Sequence, residues 1–220
     1  MAAEIARLAL LGGLLGLDGT SAGQFMVSRP LVAGALTGWV LGDVATGILV
    51  GAVLELFLLV SFPTGGARFP EGATATVVAV GTAAALGGAG ALPLGVATGL
   101  VWGQLGGATV TGLRHLNTRL APDPGARITA RRITTGHLAA VALDFLRASA
   151  VTAAGLVAGR LALAPLASSW SLGAGSSLAL LTAGGAVSMG ILVHDVGGLR
   201  ARGGWFAAGL LLGVVGARLL

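Results

Sequence analysis

Residues 31–62 read LVAGALTGWVLGDVATGILVGAVLELFLLVSF, a 32-residue apolar block whose charges are Asp43 and Glu55. A membrane-spanning helix needs about 20 apolar residues to cross about 30 Å of hydrocarbon. The block is therefore too long for one span and too short for two. Gly42-Asp43 near its middle divides it into Leu31–Leu41, 11 residues, and Val44–Val60, 17 residues. That division predicts a half-helix or re-entrant hairpin before a fuller span. Such broken elements are tolerated at membrane depth where they line a cavity. The competing reading is one long tilted helix with Asp43 near an interface.

The whole chain shares this character. Of its 220 residues, 55 % are hydrophobic, 10 % are charged and 39 are Gly, and the mean hydropathy is +0.93. Soluble domains carry about 25 % charged residues. A chain this poor in polar atoms cannot cover a surface in water, which excludes a soluble enzyme and implies an integral membrane protein. Without Cys there is no disulfide framework, thiolate nucleophile or Cys-ligated metal. All 13 basic residues are Arg, which removes a Schiff-base or phosphate-loop lysine. The net charge of +5 reads as a record of membrane orientation and not as a nucleic-acid surface. Glu4 beside Arg7, with no small-x-small cleavage site after the short apolar run, gives no expectation of a secretory signal peptide.

Outward from residues 31–62, charges, prolines and polar clusters mark further blocks. Ile5–Leu17 is short for a span, and Asp18–Pro30 is polar. Pro63–Gly72 is a Pro/Gly loop holding Arg68 and Glu71, and Pro93 separates the spans Ala73–Leu92 and Leu94–Leu113. After the basic loop Arg114–Arg132 come a span within Ile133–Leu163, a Ser/Gly-rich loop Pro165–Ser177, and the spans Leu178–Val193 and Trp205–Leu220. The expected fold is an all-α polytopic membrane protein with about 6–8 transmembrane or re-entrant helices, broken near 31–60. It is read as a single membrane-embedded domain over 1–220, with its motif-bearing part at 18–72 and its basic loop at 114–132. The Arg distribution places 114–132, Arg68, Arg200 and Arg202 in the cytoplasm and Pro165–Ser177 outside. Glycines four apart, at 34, 38 and 42, at 47 and 51, and at 95, 99, 103 and 107, predict close helix contacts.

An ionisable group inside an apolar block costs about 2.5–3.5 kcal/mol at mid-bilayer and so marks a candidate site. Glu55 is the sharpest case. On a helix it continues the row Gly47–Gly51 at i+8, heading a groove open to a ligand or to a neighbouring helix. A structural reading stands beside this one: Glu55 caps the N-terminus of a broken helix. Asp43 lies about 18 Å and about 120° from Glu55 on a continuous helix, so the two share a site only if the helix breaks. Asp43 reads equally well as the N-cap of the helix after the break. Before the block, Gln24, Ser28 and Arg29 offer an amide, a hydroxyl and a guanidinium, although Arg29-Pro30 also suits a helix start. Asp18, Gln24, Arg29 and Glu55 are together the donors and acceptors that a polyhydroxylated solute needs. Trp39 and Trp102 are candidates for its aromatic face, or else interface anchors. His115, His137 and His194 lack metal-ligand spacing, and neither a catalytic triad nor a phosphate loop is present. No catalytic residue, metal or cofactor is expected.

Three runs of residues carry a family resemblance: Gln24-x-x-x-Ser28-Arg29-Pro30-Leu31-Val32; Gly38-x-x-Leu41-Gly42-Asp43-x-x-x-Gly47-x-x-x-Gly51-x-x-x-Glu55; and Pro63-x-Gly65-Gly66-Ala67. They resemble the IIC membrane subunit of mannose/sorbose-type phosphotransferase systems, specifically over about 50 residues and more loosely through Ala73–Leu113. The resemblance implies a sugar-translocating channel formed with a IID-like membrane partner, while cytosolic IIA and IIB proteins phosphorylate the incoming hexose through their own histidines. It implies that this chain is not an enzyme by itself. It carries over Gln24, Arg29, Asp43 and Glu55 as substrate-binding positions, with Asp18 and Glu71 matched less directly.

The reading is therefore a sugar permease subunit, multi-pass in the bacterial cytoplasmic (inner) membrane, a homo-oligomer within its complex, contacting hexose and lipid but no nucleic acid. Two alternatives stand beside it. One is a small-solute permease or channel independent of the phosphotransferase system. The other is a membrane scaffold subunit that does not transport.

Overall fold

Gly42 breaks the long apolar block. Its φ of 79° lies in the left-handed region that favours glycine, and its N–H closes the helix before it on the Gly38 and Trp39 carbonyls. Asp43 opens the next helix, its carboxylate accepting from the Thr46 N–H at 3.1 Å. The result is the expected hairpin and not one tilted helix. Its two arms pack through their glycine rows. A Cβ on Gly38 would lie 2.5 Å from the Asp43 carbonyl oxygen and 3.0 Å from Gly47 Cα, and one on Gly51 would lie 3.2 Å from Gly34 Cα. Only glycine permits backbones this close.

The computed structural model describes residues 1–59, 67–121 and 129–219 and is all-α. In chain order the helices are α1 (Ala2–Thr20), α2 (Pro30–Leu41), α3 (Val44–Leu58), α4 (Gly72–Leu86), α5 (Ala91–Asn117), α6 (Ala130–Ser168), α7 (Ala174–Asp195) and α8 (Gly198–Leu219). A single 3-10 turn, Thr118–Leu120, follows α5. The motif residues Pro63, Gly65 and Gly66, and Arg127 of the basic loop, lie outside the described residues.

Helix α4 is the hub. Every residue from Ala73 to Ala83 is buried, and α1, α2, α3, α5 and α6 all pack on it. One apolar cluster joins Val50 and Leu54 of α3 to Ala79 and Val80 of α4 and Val96 of α5. A second joins Leu8 and Leu15 of α1 to Val77, Val78 and Leu156. The row Gly95–Gly99–Gly103–Gly107 lets α5 approach α4: a Cβ on Gly95 would meet Ala83 Cβ at 2.8 Å, and one on Gly99 would meet Ala79 Cβ at 2.9 Å.

Helices α6 and α7 are long and apolar enough to cross a membrane, whereas α2, α3 and α4 are shorter apolar helices. At about 1.5 Å per residue, the 39 residues of α6 exceed the hydrocarbon thickness. Among the described residues, helix α8 packs on α7 and on no other helix, and it exposes Trp205, Leu211 and Leu212, as a lipid-facing helix does.

Two boundaries differ from expectation. Pro93 does not separate spans: it sits in the first turn of α5, where its missing N–H costs nothing. The chain turns instead at Gly87 and Gly88, both with φ near +70°. Likewise Pro165 does not end α6, which runs three residues further to Ser168.

Candidate functional site

The polar stretch after α1 folds around one carboxylate. Asp18, in the last turn of α1, accepts from the Phe25 N–H at 2.6 Å and from the Ser28 N–H at 2.9 Å. The Ser28 side chain and the Val27 N–H donate to the same carboxylate. The bonds pull residues 23–28 into a tight loop in which Gln24 (φ 57°) and Met26 (φ 65°) adopt left-handed backbone angles. Such angles persist only where the surroundings impose them, and they concentrate at functional sites.

This loop forms one wall of a cavity of about 270 Å³. Its polar lining includes Asp18, Thr20, Gln24, Ser28, Arg29 and Glu71, and Phe69 supplies an aromatic ring. The first turn of α4, Gly72 and Ala73, also borders it, with backbone N–H groups that no helix carbonyl uses. Four of the six residues singled out in the sequence therefore meet in one place. The aromatic partner is Phe69 and neither tryptophan: Trp39 is largely exposed, and Trp102 Nε1 donates to the Val151 carbonyl at 2.8 Å.

Glu55 stands one layer behind. The row Gly47–Gly51–Glu55 faces α2, so the groove admits a neighbouring helix. At its end the Glu55 carboxylate pairs with the Arg29 guanidinium, Nε donating at 2.8 Å, and accepts from the Leu31 N–H at 3.2 Å. Leu31 is in the first turn of α2, so Glu55 caps that helix while fixing Arg29, which lines the cavity. The capping alternative is the geometry found.

Asp43 is not brought to the cavity. The hairpin that breaks the helix also sends Asp43 to its tip, about one 12-residue helix, roughly 18 Å, from the Arg29 end. It is exposed there and caps α3.

Glu71 differs from expectation in its burial. It is 2 % exposed and precedes α4 as its N-cap residue. Arg147 of α6 grips it with two bonds, 2.7 and 2.9 Å, while Thr74 Oγ1 donates at 2.8 Å. Arg147 also binds Asp144, and the other oxygen of Asp144 accepts from the Thr20 hydroxyl and, at 2.5 Å, from Ser21. Thr20 and Glu71, which line the cavity, are thus tied by Asp144 and Arg147 behind them into a continuous network joining α1, α4 and α6. Sequence reasoning did not single out Asp144 and Arg147 as site residues. Their signal was an acid and a base three apart inside an apolar block, the same criterion that marks Glu55.

A short donor–acceptor lining with one aromatic ring suits an uncharged polyol. Carboxylate, guanidinium and amide groups take paired hydroxyls, and the ring covers a C–H face.

Residues 2–168 match the family model described as PTS system sorbose-specific IIC component. The chain is 42 % identical over 55 residues to the mannose-specific EIIC component of the phosphotransferase system of Escherichia coli K12, a stretch covering 25 % of this chain and 21 % of that one. The match to the sorbose-specific component of Klebsiella pneumoniae likewise spans about one fifth, 21 %, of the relative's length. Among solved structures, a membrane protein aligns over 100 % of this chain and 94 % of its own, with a TM-score of 0.72 and 19 % identity. The mannose transporter ManYZ in complex with microcin E492 aligns over 100 % and 93 %, with a TM-score of 0.54 and 20 % identity. These likenesses establish a shared fold.

Proposed function

The chain belongs to the sorbose-specific IIC family of phosphotransferase systems, and from that premise we propose that it is the sugar-translocating membrane subunit of a phosphoenolpyruvate-dependent phosphotransferase system. The observation carrying this reading is the cavity in which Asp18, Gln24, Ser28, Arg29 and Glu71 surround a space of about 270 Å³ beside Phe69. Asp18, Gln24 and Arg29 contact hexose hydroxyls directly. Glu71 shapes the floor, Glu55 holds Arg29 in place, and Asp43 acts only through the hairpin tip. The chain is membrane-embedded; its seat is the bacterial inner membrane, with the Arg-rich ends cytoplasmic.

The proposed partners are a IID-like membrane subunit, which completes the pathway, and cytosolic IIA and IIB proteins, which carry the phosphoryl group. No step of phosphoryl transfer falls to this chain. One block of helices moving against another gives access to the cavity from alternate sides.

The test is uptake into vesicles holding the chain together with its IID-like partner. Labelled mannose should accumulate as its phosphate ester only when IIA, IIB and a phosphoryl donor are supplied. Accumulation of free sugar without them would favour a permease independent of phosphorylation. Absence of any uptake, with the complex intact, would favour a scaffold.

A further inference from the structure

The segment Phe69-Pro70 has a cavity on each side. Both residues line the space already described, and both also line a second one of about 390 Å³ that includes Arg68, Gln104, Gly107 and Thr111. The two cavities differ in charge. The first is bordered by the carboxylates of Asp18 and Glu71 as well as by Arg29. The second, among the described residues, has no carboxylate in its lining and presents a guanidinium, an amide and a hydroxyl.

The wall between them is well held. The Glu71 N–H donates to the Gly103 carbonyl at 2.8 Å. Gly107 leaves room for the Phe69 carbonyl, which any Cβ there would strike. Arg114 braces the far side, donating from Nη1 to the Ala67 carbonyl at 3.0 Å with its guanidinium 5.6 Å from the centre of the Phe69 ring. The second cavity therefore lies toward the Arg114 end of α5, the side on which the basic residues collect.

We propose that this second cavity is a binding site for a sugar phosphate monoester, the product of the reaction proposed above, on whose reading it rests. Phosphorylation turns a neutral solute into one carrying about two negative charges near neutral pH. Asp18, which among the described residues has no cation as a hydrogen-bond partner, then repels it from the first cavity. Across the Phe69-Pro70 wall, Arg68 attracts it, with Arg114 adding to the positive field; the Gln104 amide donates to the ester, and the Thr111 hydroxyl, whose proton goes to the Gly107 carbonyl at 3.2 Å, accepts from a sugar hydroxyl. The charge contrast gives the product a direction, away from the substrate cavity and toward the basic side.

The experiment measures binding of mannose, mannose 6-phosphate and inorganic phosphate to the full chain purified with its membrane partner. Mannose 6-phosphate should bind, and Arg68→Gln should weaken it at least tenfold while leaving mannose affinity unchanged. Arg68 is exposed, so the melting temperature should not move; Thr111→Val serves as a second variant, weakening the ester in the same way. Equal mannose 6-phosphate affinity in wild type and both variants would overturn the proposal. So would inorganic phosphate binding as tightly as the ester with the same dependence on Arg68, which would mark a general anion site. If mannose does not bind at all but the ester binds through Arg68, the hexose reading of the first cavity fails and the ester site stands.

Discussion

Arg147 on α6 holds Glu71 at the start of α4 through two parallel bonds, Nη2 to Oε1 at 2.7 Å and Nη1 to Oε2 at 2.9 Å. Glu71 is buried and Arg147 is largely so, with 10 % of its side chain exposed, and the same guanidinium binds Asp144. Removing the cation leaves two carboxylates in a low-dielectric interior. Arg147→Met should therefore lower stability by about 3–5 kcal/mol. Thermal unfolding in mild detergent reads this, and a loss under about 1 kcal/mol would mean that the network is open to water.

The hairpin glycines separate steric from conformational demand. Gly47→Ala drives a methyl group into the Gly38 backbone, whose Cα would be 2.7 Å away. It should cost about 1–3 kcal/mol or more, because backbone cannot move aside as a side chain can. Gly42→Ala meets nothing within 4 Å and has only the left-handed φ to bear, about 1 kcal/mol. Equal costs would argue against direct packing of α2 on α3.

Asp43 and Glu55 should part in their effects. Asp43→Ala removes a helix cap worth about 0.5–2 kcal/mol and should leave mannose affinity unchanged. A loss of affinity in that variant would place the site at the hairpin tip.

Glu55→Gln keeps an acceptor for the Leu31 N–H and loses the charge that holds Arg29. The pair is partly exposed, 20 % on each side chain, so the stability loss should be about 1 kcal/mol. Mannose affinity should nevertheless fall several-fold, since Arg29 is no longer fixed at the cavity. Isothermal titration beside a melting curve separates the two effects, and unchanged affinity would mean that Arg29 does not need its partner.

How much of this was legible depended on how local the cause was. Gly42-Asp43 announced the break because a left-handed cap and a side-chain cap act within four residues. The glycine rows announced close packing but not its partner; that Gly47 and Gly51 face α2 is a consequence of the hairpin. Pro93 and Pro165 misled because a proline is harmless in the first turn of a helix and tolerated in the last. Glu71 read as a loop residue because Arg147, which explains its burial, lies 76 residues away in sequence. Asp144 and Arg147 stood in plain view within an apolar block, but nothing local said that they lie beneath the same cavity as Asp18.

The central claim is that the solute is held by the loop around Asp18. Gln24→Gly tests it most directly, because glycine accepts the φ of 57° at this position without strain and removes only the amide. Equilibrium mannose binding to the chain with its membrane partner should weaken at least tenfold while the melting temperature holds or rises. Unchanged mannose affinity in this variant would contradict the account and send the search for the solute site elsewhere in the bundle.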